Sequence, residues 1–266
     1  MIALMLPTEG SSDGGFNPPG IEQAGLPGPF FQWDGIGKYH VLVVLSVVLI
    51  AGFFIVALRK REMVPGRLQF AAEMAYGFVR DSIGKDIIGA KNFLKYVPLL
   101  FTFFFFILVN NLFGAIPFFE IPTFSHVGGA YAVALIVYFF WISVGLKRHG
   151  LRYFKLSVVP SGVPWYVLPI VIPIEIISNY LVRPMTHSLR LFATMLAGHM
   201  IVLIAGYALE FLATQDNLLV QGSSILVIGM YIPLYFLELL IMVLQAYVFT
   251  LLTAIYIEGA VNADDH

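Results

Sequence analysis

Two apolar stretches of this sequence carry side chains suited to moving protons past a fixed charge. Residues 183–199 read RPMTHSLRLFATMLAGH, with Arg190 in the middle and His199 at the end. Residues 237–260 read LELLIMVLQAYVFTLLTAIYIEGA, with Glu238 and Gln245 near its start. A guanidinium stays charged at any physiological pH, so Arg190 cannot neutralise itself to suit oily surroundings. A carboxylate that meets it is held in the deprotonated state, so a proton there is forced off. A histidine and a carboxylate together take up and release protons near neutral pH.

The surroundings decide how these groups are positioned. The chain has 266 residues, 59% of them hydrophobic and 12% charged, with a mean hydropathy of +0.86. A soluble domain carries about 25% charged residues. Several stretches are long and apolar enough to cross a hydrocarbon core, which marks a polytopic membrane protein of the all-α class. Cysteine is absent, which excludes disulfides, thiolate metal sites and cysteine nucleophiles. No metal or cofactor is expected. The opening MIALMLPTEG has no basic n-region and only a short apolar run, unlike a signal peptide. Residues 1–38 are rich in Gly and Pro and read as an extramembrane segment, followed by a single membrane domain over 39–266.

The first span, 39–58, stops at Arg59, Lys60 and Arg61, which places the cytoplasm there and the N-terminus outside. Residues 66–89 mix Leu68, Phe70, Met74, Phe78 and Ile83 with Arg67, Glu73, Arg80 and Asp81, as an amphipathic interfacial helix does. A second span at 96–119 is followed by EIPTFSHVGG, which has no Lys or Arg. A third at 129–146 runs into the basic LKRHGLRYFK. All three agree on orientation.

From Val167 to Ala213 the chain is apolar apart from Glu175, Arg183, Arg190 and Glu210. As one helix that is about 70 Å, more than twice the hydrocarbon thickness, so it either breaks or lies strongly tilted. After the polar TQDNLLVQGSS a second long stretch, about 223–258, returns. The pair reads as an antiparallel hairpin of two tilted helices. With its turn near residue 218, His199 falls opposite residue 237, beside Glu238, and Arg190 opposite 246, beside Gln245. Glu238 and Gln245 are seven apart and share a face, and Thr186 and Thr194 flank Arg190 four residues either way. His199, nine residues from Arg190, points the opposite way. Two separate aqueous access paths fit this split better than one continuous pore. No carboxylate falls at the level of Arg190, so its counter-ion is expected on another subunit.

Plainer roles suit the remaining polar groups. Arg183 is expected to snorkel to the cytoplasmic surface. His126, His149 and His266 sit in loops or at the terminus, His40 and Asp34 flank the first span, and Glu210 belongs to the external turn. His187 stays open. Phe103–Phe106 reads as a lipid-facing or packing surface.

The segments 183–199 and 237–260, with NNLFGAIPFF in the second span, resemble subunit a of the F-type ATP synthase from about residue 39 onward. The resemblance implies a stator in the bacterial plasma membrane, or alternatively an organellar one, with two offset proton half-channels beside a rotating c-subunit ring. Peripheral stalk b subunits and the rest of the synthase are the other implied partners. It assigns Arg190 to the barrier between half-channels and to engagement of the ring carboxylate, with Gln245 at its level. His199 and Glu238 take outer half-channel positions, in swapped order relative to many relatives. Glu175 resembles the acid of the inner half-channel, one residue further from Pro184 than the pattern, which a local bulge absorbs. Thr194 stands where many relatives carry Asn.

The chain is expected to be no enzyme alone. It has no GxxxxGK[ST] phosphate loop, and no nucleic acid is an expected partner. The alternative function is a self-contained secondary transporter whose intramembrane arginine binds an anionic substrate. That predicts internal repeats or paired broken helices, and neither is visible.

Overall fold

The computed structural model describes residues 38–59, 66–90, 92–116, 123–125, 127–158, 166–214 and 218–262. The N-terminal segment 1–37, and His126 and His266, lie outside the described residues or have no described side chain. The described residues are almost all helical, with no strand among them. In lipid an α-helix satisfies every backbone polar group within its own segment, so apolar sequence of this length has little alternative.

Helix α1 is Lys38–Leu58. Helix α2, Arg67–Phe78, continues without a break through a π-helical turn, Val79–Lys85, and a short α3, Asp86–Ile88. Helix α4 is Val97–Ala115, α5 Val127–His149 and α6 Arg152–Val158. Helix α7, Leu168–Ile177, passes through a second π-helical turn, Ser178–Val182, into α8, Arg183–Ala213. Helix α9 is Leu218–Val261. Among the described residues five helical stretches are long and apolar enough to cross a membrane.

Several boundaries differ from the sequence-based ones for local reasons. Helix α4 ends at Ala115 rather than near 119, because Ile116 precedes Pro117 and is driven to an extended conformation, φ −86° and ψ 118°. Helix α5 runs on past 146 to His149, through Lys147 and Arg148, whose charge suits a helix C-terminus. It stops at Gly150, which has φ 59° and returns its N–H to the Leu146 carbonyl at 2.9 Å. Helix α9 starts at Leu218, five residues before the expected 223, since Leu218, Leu219 and Val220 extend it readily. The long 168–213 stretch does not break. Pro169 sits in the first turn of α7, where a missing N–H costs nothing, while Pro173 lies inside α7 and Pro184 directly after the π-helical turn, whose wider spacing accommodates a ring without an N–H.

Helix α9 is the hub. It packs on α8, α4 and α5, while α5 also packs on α8 and α1 packs on α4. Lipid tails are as apolar as leucine, so helices associate through close fit and polar ties rather than through hydrophobicity. Helix α9 accordingly presents Ala246, Thr250, Thr253, Ala254, Ile257 and Ala260, all buried, at three- and four-residue spacing. Thr250 and Thr253 donate their hydroxyls to their own helix, to the carbonyls of Ala246 and Phe249.

The interfacial region has two faces. Leu68, Phe70 and Met74 are exposed, while Val79, Ile83 and Ile88 join the core with Val97 and Leu100. Phe103 and Phe104 are packing residues. Peripheral α1 is tied in by Phe54, edge-on to Phe101 and Phe105 at 4.8 and 5.2 Å, and by Ser46, described below.

Candidate functional site

Two contacts set the register of the α8–α9 pair. A Cβ on Gly198 would lie 3.5 Å from Glu238 Cγ, and the rings of His187 and Phe249 are 3.9 Å apart. From 187 to 198 on α8, and from 238 to 249 on α9, is the same eleven residues, so the helices stay in step between these contacts. Arg190 in that register falls opposite Ala246, next to Gln245, and His199 opposite Leu237, next to Glu238.

Helical phase then divides the groups. Arg190 is exposed on the outward face of α8, along with Met185, Thr186, Leu189 and Ala193. His199 (7% exposed) is buried on the opposite face, and Glu238 and Gln245 (5% each) share the buried face of α9. Among the described residues no carboxylate stands within ion-pair distance of Arg190; the one ion pair there is Arg80–Asp81, at 3.8 Å on the surface. Thr194 donates its hydroxyl to the carbonyls of Arg190 at 2.8 Å and Leu191 at 3.3 Å, and Thr186 donates to those of Val182 and Arg183. Both hydroxyl protons are therefore committed to the helix backbone, which leaves only their oxygens to accept. No hydrogen bond joins His199 to Glu238. Glu238 Oε1 and Gln245 Nε2 are buried without a partner among the described residues. An unpaired buried polar group costs roughly 1–3 kcal/mol, so these two are placed at a standing penalty.

Between the Glu238 and Gln245 levels lies a polar layer that the sequence reading left unassigned. Asn111 of α4 donates to the Met242 carbonyl at 3.3 Å. Asn110 donates to Ser46 Oγ of α1 at 2.8 Å and to the Phe106 carbonyl. The Oδ1 atoms of both amides are buried and unpartnered. Its signal was two consecutive amides inside an apolar span.

Glu175 is not brought to this cluster. It lies on α7, fifteen residues before Arg190 on one continuous rod, roughly 22 Å along the axis. Its carboxylate accepts from Asn179 Nδ2 at 3.0 Å, and the same amide donates to the Ser157 carbonyl of α6 at 2.8 Å. The π-helical turn Ser178–Val182 falls between Glu175 and Pro184. Such turns hold one residue more than the α-helix and recur at functional sites.

Arg183 is half-buried, and its guanidinium sits 5.8 Å from the Trp141 ring and 5.7 Å from the Tyr256 ring. Aromatic faces at that distance attract a cation. His187, left open by the sequence, is 3% exposed with both ring nitrogens unpartnered. It borders the same small cavity as Arg183, about 10 Å³ or one water in size.

Comparison with known proteins identifies the family. The family model described as ATP synthase A chain matches residues 40–258. The chain is 65% identical to ATP synthase subunit a of Pseudarthrobacter chlorophenolicus over the full length of both. It is 46% identical to the subunit a of a Nocardioides species, over 95% of each chain. With that of Hyphomonas neptunium it shares 45% identity over 84% of this chain and 86% of the relative. The chain therefore belongs to the ATP synthase A chain family, as a multi-pass bacterial membrane component of that complex.

Proposed function

We propose that this chain is the membrane stator that offers two offset proton half-channels to a rotating ring of c subunits, with peripheral stalk b subunits holding it still. The observation that carries the reading is the placement of Arg190: a permanent cation on the outward face of α8, with no carboxylate in ion-pair reach among the described residues. A cation at the bilayer centre costs about 3 kcal/mol on insertion scales, so its place calls for an anionic partner. A carboxylate on the passing ring is that partner.

The chemistry follows from the two faces. A proton from the outer side reaches the buried His199 and Glu238 and passes to a ring carboxylate, with Gln245 positioned near the Arg190 level. The neutral carboxyl can then travel through lipid, where a carboxylate cannot. After nearly a full turn it meets the inner path near Glu175. There the approach to Arg190 favours the charged form and drives the proton off. Arg190 also repels a proton that would cross directly, so the two paths are linked only through the ring. Thr194 positions the backbone beneath Arg190 rather than contacting the ring carboxylate. The long α7–α8 rod and α9 exceed a perpendicular span, about 30 Å, and lie strongly tilted along the ring. The N-terminus faces outward, and the nucleotide chemistry belongs to other subunits.

Replacing Arg190 with Ala in the whole complex tests this. ATP-driven proton pumping and ATP synthesis are lost while the complex still assembles. Pumping that persists in R190A overturns the assignment.

A further inference from the structure

Away from the proton path, the start of α4 and the end of α5 enclose an open cleft of about 680 Å³. Three cations line it: Lys95 from the 3-10 turn Phe93–Lys95, and Lys147 and Arg148 from the last turn of α5. Among the described residues no carboxylate lines it. None of the three forms an ion pair among the described residues. All three are exposed, and Lys95 Nζ lies over the Tyr96 ring at 5.9 Å. The uncharged lining fits a second kind of group. Leu94, 61% exposed, and Phe140 give an apolar wall, while Asn92 supplies an amide. Ser143 has donated its hydroxyl proton to the Phe140 carbonyl at 2.7 Å, so it is not a phosphate donor.

The level of the cleft matters as much as its charge. It lies where two apolar spans, Val97–Ala115 and Gly128–His149, reach their polar ends, which is the headgroup layer of a bilayer. We propose that this cleft is a binding site for an anionic phospholipid. The headgroup phosphate sits among Lys95, Lys147 and Arg148, and an acyl chain runs along Leu94 and Phe140. Basic pockets between membrane helices at the interface recognise such headgroups. Like-charge repulsion among three cations lining one cleft is relieved by a bound anion. A free phosphate shares the charge but leaves the apolar wall unused.

The test uses the whole complex purified in mild detergent and titrated with mixed micelles of phosphatidylglycerol or phosphatidylcholine. The expected result is a preference for phosphatidylglycerol on the order of a hundredfold at this site, from three interfacial cations acting together. The triple variant K95Q/K147Q/R148Q binds phosphatidylglycerol at least about tenfold more weakly and loses one co-purified anionic phospholipid by native mass spectrometry. S143E, which adds a carboxylate and removes no cation, lowers binding in the same direction and covers the case in which the triple variant does not assemble. Unchanged binding in both overturns the proposal. So does complete displacement by millimolar inorganic phosphate, which assigns the site to a free anion. Carbodiimide coupling of Lys95 or Lys147 to a carboxylate of another subunit also overturns it, by assigning the cleft to a protein. Arg190 is untouched in all of these, so the outcome is independent of the proton-path reading.

Discussion

At the scale of single residues, the site is built from side chains held in unfavourable states. Glu238 and Asn111 each keep a buried oxygen without a partner, and such groups persist where function needs them. Asn111→Leu removes both the unpaired oxygen and one hydrogen bond to Met242. These nearly offset each other, so stability changes by less than about 1 kcal/mol. Proton flux through the complex, measured as the rate of ATP-driven acidification of vesicles, falls severalfold nonetheless. A large loss of thermal stability with normal flux means Asn111 serves only packing. Gly198 makes a finer test. A Cβ there meets Glu238 at 3.5–3.7 Å, ordinary contact, so Gly198→Ala folds normally and merely covers the carboxylate. Gly198→Leu needs more room than is present and blocks it. Flux therefore declines in steps from Gly to Ala to Leu, and equal flux in all three rules out passage along that side of Glu238.

At the scale of elements, the two π-helical turns and the close approach of α6 do the positioning. The turn at Ser178–Val182 sets the angle between Glu175 and Arg190 on one rod. Deleting Leu181 removes the extra residue that the bulge absorbs and leaves a regular α-helix, so Glu175 keeps its direction relative to Arg190. ATP synthesis by the complex is expected to stay near the unmodified level, while Glu175→Gln lowers it; a deletion that assembles but loses synthesis shows that the bulge does more than absorb a residue. At Gly145 a Cβ would stand 2.5 Å from the buried Tyr153 ring, so Gly145→Ala pushes α6 off α5 at a cost of about 1–3 kcal/mol. The melting temperature drops, and Tyr153→Ala in the same chain recovers part of it. The sequence exposed these elements unevenly. One short turn between two long helices leaves little freedom in register, which is why counting from residue 218 put Glu238 beside His199. Lateral neighbours follow no such count. Nothing in the order of residues said that Trp141 and Tyr256 would close on Arg183, or that Asn110 would reach Ser46.

At the scale of the whole molecule, the distribution of exposure shows which face is unfinished. The inner faces of α8 and α9 are packed against α4 and α5, yet the outward side of α8 leaves Arg190 among exposed Leu189, Ala193 and Ile201. A charge in lipid with no counter-ion is costly, so on the proposed reading this face is completed in the assembled complex. Helix α1 is exposed for a different reason: Val44, Val48 and Ile55 face outward with no charge among them, as a lipid-facing surface does. The two kinds of exposure are separable because the chain has no cysteine, so single thiols can be introduced without other changes. A nitroxide label on a cysteine at Ala193 collides freely with lipid-dissolved oxygen when the chain is reconstituted alone. In the intact complex, where the proposed c ring would cover that face, the collision rate is expected to drop severalfold. A label at Val48 reports the same high rate in both states, and one at buried Leu191 the same low rate in both. If Ala193 stays equally accessible in the complex, the ring engages some other face and Arg190 needs a different anion.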